Sequence, residues 1–368
     1  MKQRFVIFAK IFFSLLDLIF FKQKKYIVFS TRVGKDYADN SKFIYEYFLS
    51  KNNDNVFFFT KKKEVLKKIP KNGIYAYSWK GLSILLRAKI LVFTHGSGDF
   101  FPYFPDKSAN RIFINLFHAI AVKKVGNGIN NTKEIKHEIA KWSFFIVSSD
   151  FEKSFIKEQY LLKESQIITL GQSRNDILIK NKNKNAKRKR VLYAPTFRDS
   201  TMTKLFPFED QDLDSLDVFL QRKNIDIIIR LHINEENNYK DLKKYKKLKN
   251  IRFEGTDISP SINDVLHTFS FVISDYSSII IDYLLLNRPV AYIPYDYKEY
   301  EKERGFSFDF FKNQAGPSIY SQKELIAFLD SKEDKFFNRR IELANKFHQF
   351  QDGKSTKRLY NFIKKYES

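Results

Sequence analysis

The polar residues at 275–278 directly follow an apolar run, and no other segment is better suited to binding chemistry. Residues 271–274 are typical of a buried strand, and a helical apolar run begins at about Ser278. The first N–H groups of a helix have no partner inside it, so they attract anions such as phosphate. Asp275, Ser277 and Ser278 therefore predict a phosphate site. The alternative for Asp275 is that it only caps the helix.

Two histidines and one arginine also stand just after apolar runs. His118 follows residues 112–116, His232 follows residues 227–231, and Arg198 comes shortly after Leu-Tyr-Ala-Pro. A histidine with a pKa of about 6.5 can act as a general base, and a guanidinium fork matches phosphate oxygens. The three residues predict acid–base and phosphate chemistry. On position alone, a histidine hydrogen-bonded in the core is the alternative for His118.

Short apolar runs alternate with helical patterns along the chain, which predicts parallel α/β domains. Ligands bind such domains at the carboxyl ends of the strands, where the candidate residues stand. A stretch at 181–190 has six Lys or Arg among ten residues and predicts an exposed linker, with a nucleic-acid signal as the alternative. We expect two facing Rossmann-like domains, 23–180 and 191–321, with the site in the cleft. Helices at 322–368 are expected to pack back on that cleft.

The N-terminus predicts an amphipathic helix. Residues 5–21 are apolar except for Lys10, Ser14 and Asp17, which share one narrow helical stripe. The run is shorter than the ~20 apolar residues of a spanning helix, and no signal-peptide cleavage site follows it. Basic residues flank both ends, so we expect a helix at 1–22 lying in the membrane interface on anionic headgroups. The alternative is a helix docked on the protein's own core.

Composition narrows the classes of function. The 368 residues are 43% hydrophobic, which indicates a folded protein. The net charge of +23 favours anionic partners, and compositional bias with solubility is the alternative explanation of the charge. The absence of cysteine excludes disulfides, thiolate zinc sites and cysteine nucleophiles. No zinc spacing, helix-turn-helix or aromatic RNA motif is present, so nucleic acid is not an expected partner. The acidic residues show no metal-ligand spacing.

Five segments together resemble a known family. Segment 115–126 (NLFHAIAVKKVG) resembles the Asn-x-Trp-His-Gly-Thr-Pro-Leu-Lys-x-x-Gly signature of the CDP-glycerol glycerophosphotransferases, the teichoic-acid primase and polymerase enzymes. Ala-Ile-Ala at 119–121 replaces Gly-Thr-Pro, and such variants look like capsule or surface-polymer members of the family. The resemblance covers roughly residues 90–360 and continues, in the family's order, with GQSRNDIL at 171–178, LYAPTFRD at 192–199, RLH at 230–232 and SDYSS at 274–278.

The family is similar in fold to the GT-B glycosyltransferases and sits on the cytoplasmic face of the bacterial membrane. The resemblance implies a peripheral membrane enzyme that moves a polyol phosphate from a CDP-polyol to a hydroxyl of a lipid-linked saccharide or growing polymer. The polymer would be a teichoic acid or capsule, and CMP would leave. Glycerol phosphate is the first expectation, and CDP-ribitol also fits as a donor. No cofactor and no metal are implied.

The resemblance also implies roles for single residues. His118, on an acceptor domain at 23–180, is expected to be the base for the acceptor hydroxyl. His232 and Arg198, on a CDP-donor domain at 191–321, are expected to hold the diphosphate and stabilise the leaving CMP. The expected donor-binding residues are Thr196, Arg198, Asp275, Ser277 and Ser278, and the expected acceptor-side residues are Asn115, Lys123 and Arg174.

Two other interpretations stay open at this point. A GT-B glycosyltransferase that uses a nucleotide sugar would need the same kind of diphosphate site. A basic, non-enzymatic binder of anionic polymer would explain the charge without any catalysis.

Overall fold

The computed structural model contains two compact α/β units. The first comprises residues 1–119, 125–176 and 349–368, and the second comprises 120–124 and 177–348. Each is built on its own parallel sheet, which confirms the predicted α/β class. The structure describes residues 2–100, 111–129, 132–184, 188–199, 201–232, 235–236, 243–255, 258 and 261–367.

Seven parallel strands form the sheet of the first unit, in the order β3-β2-β1-β4-β5-β6-β7. Most of their residues are buried and apolar, as expected for parallel strands covered on both faces. The strands are β1 Gln23–Phe29, β2 Val56–Thr60, β3 Gly73–Tyr75, β4 Ala88–Phe93, β5 Ile112–Asn115, β6 Phe144–Val147 and β7 Ile167–Thr169. The helices before the second sheet are α1 Lys2–Ile19, α2 Asp39–Ser50, α3 Lys63–Leu66, α4 Trp79–Arg87, α5 Lys133–Ile139, α6 Asp150–Tyr160 and α7 Asp176–Lys180.

Five parallel strands form the sheet of the second unit, in the order β10-β9-β8-β11-β12. They are β8 Lys189–Tyr193, β9 Ile225–Ile229, β10 Ile251–Phe253, β11 Phe271–Ser274 and β12 Val290–Tyr292. The remaining helices are α8 Leu213–Lys223, α9 Lys243–Lys246, α10 Ile262–Val265, α11 Ile279–Tyr283, α12 Tyr297–Arg304, α13 Gln322–Asp330, α14 Phe337–Phe347 and α15 Ser355–Lys364.

Part of the predicted linker at 181–190 is a strand. Lys189 and Arg190 begin β8, where Arg190 forms an ion pair with Glu254 at 2.9 Å. The composition of this segment does not distinguish the charged end of a strand from a linker. The carboxylate that pairs with Arg190 belongs to Glu254, which is 64 residues away in sequence. Residues 185–187 of the predicted linker lie outside the described part of the chain.

Two segments pack with a different unit from their sequence neighbours. Residues 120–124 lie inside the predicted domain 23–180, yet Lys123 forms an antiparallel bridge with Phe306 of the second unit. The predicted helical segment 322–368 is divided between the units. Helices α13 and α14 belong to the second unit, whereas α15 buries Leu359 and Ile363 in the core of the first.

Helix α1 turns Asp17, one residue of its polar stripe, toward the protein. Asp17 is buried and forms ion pairs with Lys22 at 2.8 Å and with Arg111, whose side chain is also buried. Arg111 donates a second hydrogen bond to the Leu86 carbonyl at 2.6 Å. Asp17 therefore ties α1 to the first unit. Among the described helices, none is long and apolar enough to cross a membrane.

Candidate active site

In the first unit, two histidines meet at the carboxyl ends of neighbouring strands. Strands β4 and β5 pair in register, with Phe93 beside Asn115. His95 follows the first strand and His118 follows the second, so the two side chains emerge side by side. Their rings stack with centroids 4.0 Å apart and planes 10° from parallel.

Asn115 shapes the turn that carries His118. Its Oδ1 accepts a hydrogen bond from the Phe117 N–H at 2.8 Å, and Phe117 has a left-handed backbone with φ of 51°. From helix α2, the Asn40 amide donates to the Phe117 carbonyl at 2.9 Å. Asn115 is itself buried. The structure thus places this predicted acceptor-side residue beneath the turn, where it orients His118.

Arg174, also predicted on the acceptor side, is a buried cation of the same unit. It is 1% exposed and forms an ion pair with Asp39 at 3.2 Å. Its backbone N–H donates to Oδ1 of Asn40 at 3.0 Å. The same amide side chain therefore links Arg174 to the turn that carries His118.

The surroundings favour the neutral form of His118. Desolvation by the protein lowers its pKa well below the ordinary value, and the charges of His95 and Arg174 act in the same direction. The residue as a whole is still exposed to solvent. Nδ1 lies 3.5 Å from the Thr94 carbonyl. A carbonyl only accepts hydrogen bonds, so this long contact favours the tautomer that carries the proton on Nδ1 and the lone pair on Nε2.

In the second unit, Asp275 joins the loops after two neighbouring strands. It follows β11, which pairs with β8, and is 2% exposed. Oδ1 accepts hydrogen bonds from the N–H groups of Thr196 (2.8 Å) and Tyr276 (2.6 Å), and Oδ2 accepts from Arg198 (2.9 Å). All three partners lie outside helix α11, so these bonds hold the loops rather than cap the helix.

Arg198 is engaged in an internal ion-pair network. Nε and Nη2 donate to the carboxylate of Asp296 at 2.7 and 2.9 Å, Nη2 also donates to Asp275, and Nη1 donates to the Thr196 carbonyl at 2.5 Å. Burial opposes the charge, but the hydrogen bonds to Asp296 and the Asp275 charge outweigh it and raise the pKa of Arg198. Tyr300 stacks on the guanidinium at 4.8 Å. Nε and Nη2 are thus engaged by carboxylates, and a phosphate could bind these two donors only by displacing one of them.

Lys123, predicted on the acceptor side, stands beside the network of the second unit. The Ser307 hydroxyl donates to its carbonyl at 2.9 Å, and its Nζ lies 5.9 Å from the centre of the Tyr300 ring. Desolvation lowers its pKa to about 8, against the opposite pull of Asp275. The structure thus groups Lys123 with the predicted donor-binding residues.

The other predicted donor residues also lie at this sheet edge. Ser277 and Ser278 are partly exposed before helix α11, and the Ser277 hydroxyl accepts from the Ile279 N–H at 3.4 Å. Thr196 is 5% exposed, and its hydroxyl has no hydrogen-bond partner among the described residues. His232 follows β9, is exposed, and lies 5.3 Å from the ring of Phe197.

Sequence reasoning missed three members of these sites. His95 follows a buried strand just as His118 does, so the same rule applied to every strand would have selected it. Asp99 and Asp296 do not directly follow a buried strand. Contacts with residues distant in sequence bring them to the sites. Among the described residues, no cluster of three or more acidic or histidine side chains could hold a metal ion.

Comparison with known proteins connects these sites to a family. Residues 12–365 match the model of the CDP-Glycerol:Poly(glycerophosphate) glycerophosphotransferase family. The chain is 24% identical to a teichoic acid glycerol-phosphate transferase of Staphylococcus aureus, over 92% of this chain and 93% of that protein. It is 26% identical to a teichoic acid poly(glycerol phosphate) polymerase of Bacillus spizizenii, over 92% and 91% of the two chains.

The fold matches solved structures of the wall teichoic acid polymerase TagF. A histidine-to-asparagine variant of TagF soaked with CDPG superposes with a TM-score of 0.82 at 23% identity, over 98% of this chain and 93% of that one. This likeness confirms the predicted GT-B-like fold. The family match spans nearly the whole chain, including all the motifs at the two sheet edges. The chain therefore belongs to the CDP-glycerol:poly(glycerophosphate) glycerophosphotransferase family.

Proposed function

We propose that this enzyme transfers a polyol phosphate, glycerol phosphate first, from a CDP-polyol to a hydroxyl of a lipid-linked or growing cell-surface polymer. One observation carries the proposal: the motifs of the family match supply the side chains at the carboxyl edges of both sheets. A histidine stands at one edge, and serine and threonine hydroxyls with a lysine stand at the other. A non-enzymatic binder would have no use for this arrangement.

The proposed chemistry is a single displacement at phosphorus. The acceptor oxygen attacks the β-phosphorus of the donor, a new P–O bond forms, and the bond from β-phosphorus to the bridging oxygen breaks. CMP leaves with the bridging oxygen. We assign His118 to take the hydroxyl proton on Nε2, because its neutral form is favoured and the Thr94 contact involves the other ring nitrogen.

The donor side works through positioning and charge. Ser277, Ser278 and Thr196 supply hydroxyls to the diphosphate, and Lys123 supplies a cation near Asp275. Arg198 remains a predicted diphosphate ligand, and its ion pairs give it a second role in fixing Asp275. His232 is assigned to the leaving CMP because it is exposed after the neighbouring strand β9.

Transfer itself is tested with purified protein, CDP-glycerol carrying a labelled glycerol, and bacterial membranes as the source of acceptor. The proposal expects label to enter the polymer fraction, and the His118→Asn variant to leave it in the donor. Equal incorporation with and without active enzyme would contradict it.

The described part of helix α1 supports a peripheral place on the cytoplasmic membrane surface. A helix docked on a core normally buries its apolar face, yet here the polar residue Asp17 is buried. Leu18, Ile19 and Phe21 are 77–80% exposed, and Ile11, Phe12 and Leu15 are at least half exposed. Such an outward apolar face, on a chain of net charge +23, fits the interface of an anionic bilayer.

Replacing Leu18 and Ile19 together by serine should weaken binding to liposomes of phosphatidylglycerol and phosphatidylcholine. The expected loss is roughly 10²-fold, because each side chain contributes about 1.5 kcal/mol or more when buried. Cosedimentation measures it. Val218→Ser, at an exposed apolar residue of α8, is the matched control and should bind as the wild type does. An unchanged partition of the double variant would refute the membrane role of α1.

A further inference from the structure

We propose that His95 is a positioning residue for His118: it takes the first proton that the stacked pair binds, and so keeps His118 neutral and available as the base. The inference rests on the proposed function only for the role of His118. It goes beyond that function because His95 has no assigned part in the transfer.

Short hydrogen bonds fix the position of His95. Its Nδ1 lies 2.8 Å from the Thr94 hydroxyl, which in turn lies 2.7 Å from the Thr31 hydroxyl. Oδ2 of Asp99 accepts the N–H groups of Thr94 and His95 at 2.9 and 3.1 Å. The other carboxylate oxygen accepts the N–H of Val33 at 2.6 Å. Asp99 is 1% exposed. The loop that presents His95 is therefore anchored on a buried carboxyl group.

Stacking makes the two rings compete for one proton. Two imidazolium rings whose centres are 4.0 Å apart repel, so the pair binds its second proton much less readily than its first. Both rings are exposed on one side and can exchange protons with solvent, although the surrounding protein still disfavours a charge on either. Which ring takes the first proton depends on the charges around them.

Those charges favour His95. Desolvation lowers the pKa of His95 and Arg32 acts in the same direction, whereas the charges of Asp99 and Asp39 raise it. For His118, desolvation, His95, Arg174 and Arg32 lower the pKa, and only the contact with the Thr94 carbonyl, which is not a charge, opposes them. Further along the loop, Glu138 accepts hydrogen bonds from the N–H and hydroxyl of Ser97, and Lys141 lies 3.1 Å from that carboxylate. The carboxylates thus act on His95, and the guanidinium of Arg174 acts on His118.

The geometry has a consequence for the pH dependence of the reaction. As pH falls, the first proton goes to His95, and its charge delays protonation of His118. Without His95, that proton would go to His118 itself. Removal of His95 should therefore shift the acid limb of kcat/KM to higher pH. Loss of the His95 ring that covers His118 would act in the same direction, because it exposes His118 to water.

The test compares wild type, His95→Phe and His95→Asn in CMP release between about pH 5 and 9. His95→Phe keeps a flat ring for the stack and removes only the proton site. We expect its acid-limb midpoint to rise by about one pH unit, with an alkaline plateau within about threefold of wild type. His137→Phe, at an exposed histidine of α5, is the control that should leave the profile unchanged. A lowered plateau with an unmoved midpoint would reduce His95 to a structural residue and overturn the proposal.

A second readout does not depend on catalysis. Ring-proton NMR with ¹³C-labelled histidine follows each of the six histidines, and His118→Gln assigns the His118 signal. We expect His118 to titrate at higher pH in His95→Phe and in His95→Asn than in wild type. An identical titration would overturn the inference even if transfer is confirmed. If the His118 titration shifts as expected but the wild-type protein releases no CMP, only the proposed function is refuted.

Discussion

Replacement of His118 by asparagine should lower the rate of CMP release from the donor at least ~10²-fold, the usual contribution of a positioned base. Asparagine can keep the contact with the Thr94 carbonyl, so the fold of the turn should survive while the proton acceptor is lost. The Asn115 and Asn40 hydrogen bonds to that turn involve backbone atoms of neighbouring residues and are not touched.

Initial rates of CMP release at saturating donor measure the effect, and His137→Asn on the surface of α5 serves as the matched control. KM for the donor should change little, because the base acts on the acceptor hydroxyl. Near-normal turnover in His118→Asn would remove His118 from the catalytic role.

Replacement of Arg198 by methionine should lower the free energy of unfolding by about 3–5 kcal/mol, the usual cost of leaving a buried charge without its partner. The side chains of Asp275 and Arg198 are each about 2% exposed, so water cannot replace the partner that Asp275 loses. The Arg198→Met/Asp275→Asn double variant should recover part of the loss, because no unpaired charge then remains at Asp275.

Denaturant unfolding monitored by circular dichroism measures both variants. Lys247→Met is the control, since Lys247 and Asp214 form an exposed pair at 2.7 Å, and such pairs contribute about 1 kcal/mol or less. A loss in Arg198→Met no larger than in this control would show that Arg198 does not hold the Asp275 loop.

The site residues that could be predicted from sequence are those that stand just after an apolar strand segment. Buried parallel strands are apolar on both faces, so their ends are visible as the first polar residues after an apolar run. His118, His232, Arg198 and Asp275 were all found in this way, and each does stand at the carboxyl edge of its sheet. The division into two α/β units follows from the same alternation of strands and helices.

The parts that escaped prediction depend on contacts distant in sequence. Asp296 and Arg198 are 98 residues apart in sequence, and no local pattern predicts that they form an ion pair. The buried Asp17 of α1 is paired with Arg111, which is 94 residues away from it. Lys123 follows His118 by five residues, yet backbone hydrogen bonds at 305–307 place it in the other unit. Periodicity carries no information about such partners.

The nucleotide that the enzyme releases identifies the donor that it uses. Purified protein is incubated with CDP-glycerol, CDP-ribitol and a panel of nucleotide sugars in the presence of membrane acceptor, and the released CMP, UMP and UDP are quantified. We expect CMP to be released from one CDP-polyol, only in the presence of acceptor, and not by the His118→Asn variant. Release of UDP from a nucleotide sugar, with no CMP from either CDP-polyol, would contradict it.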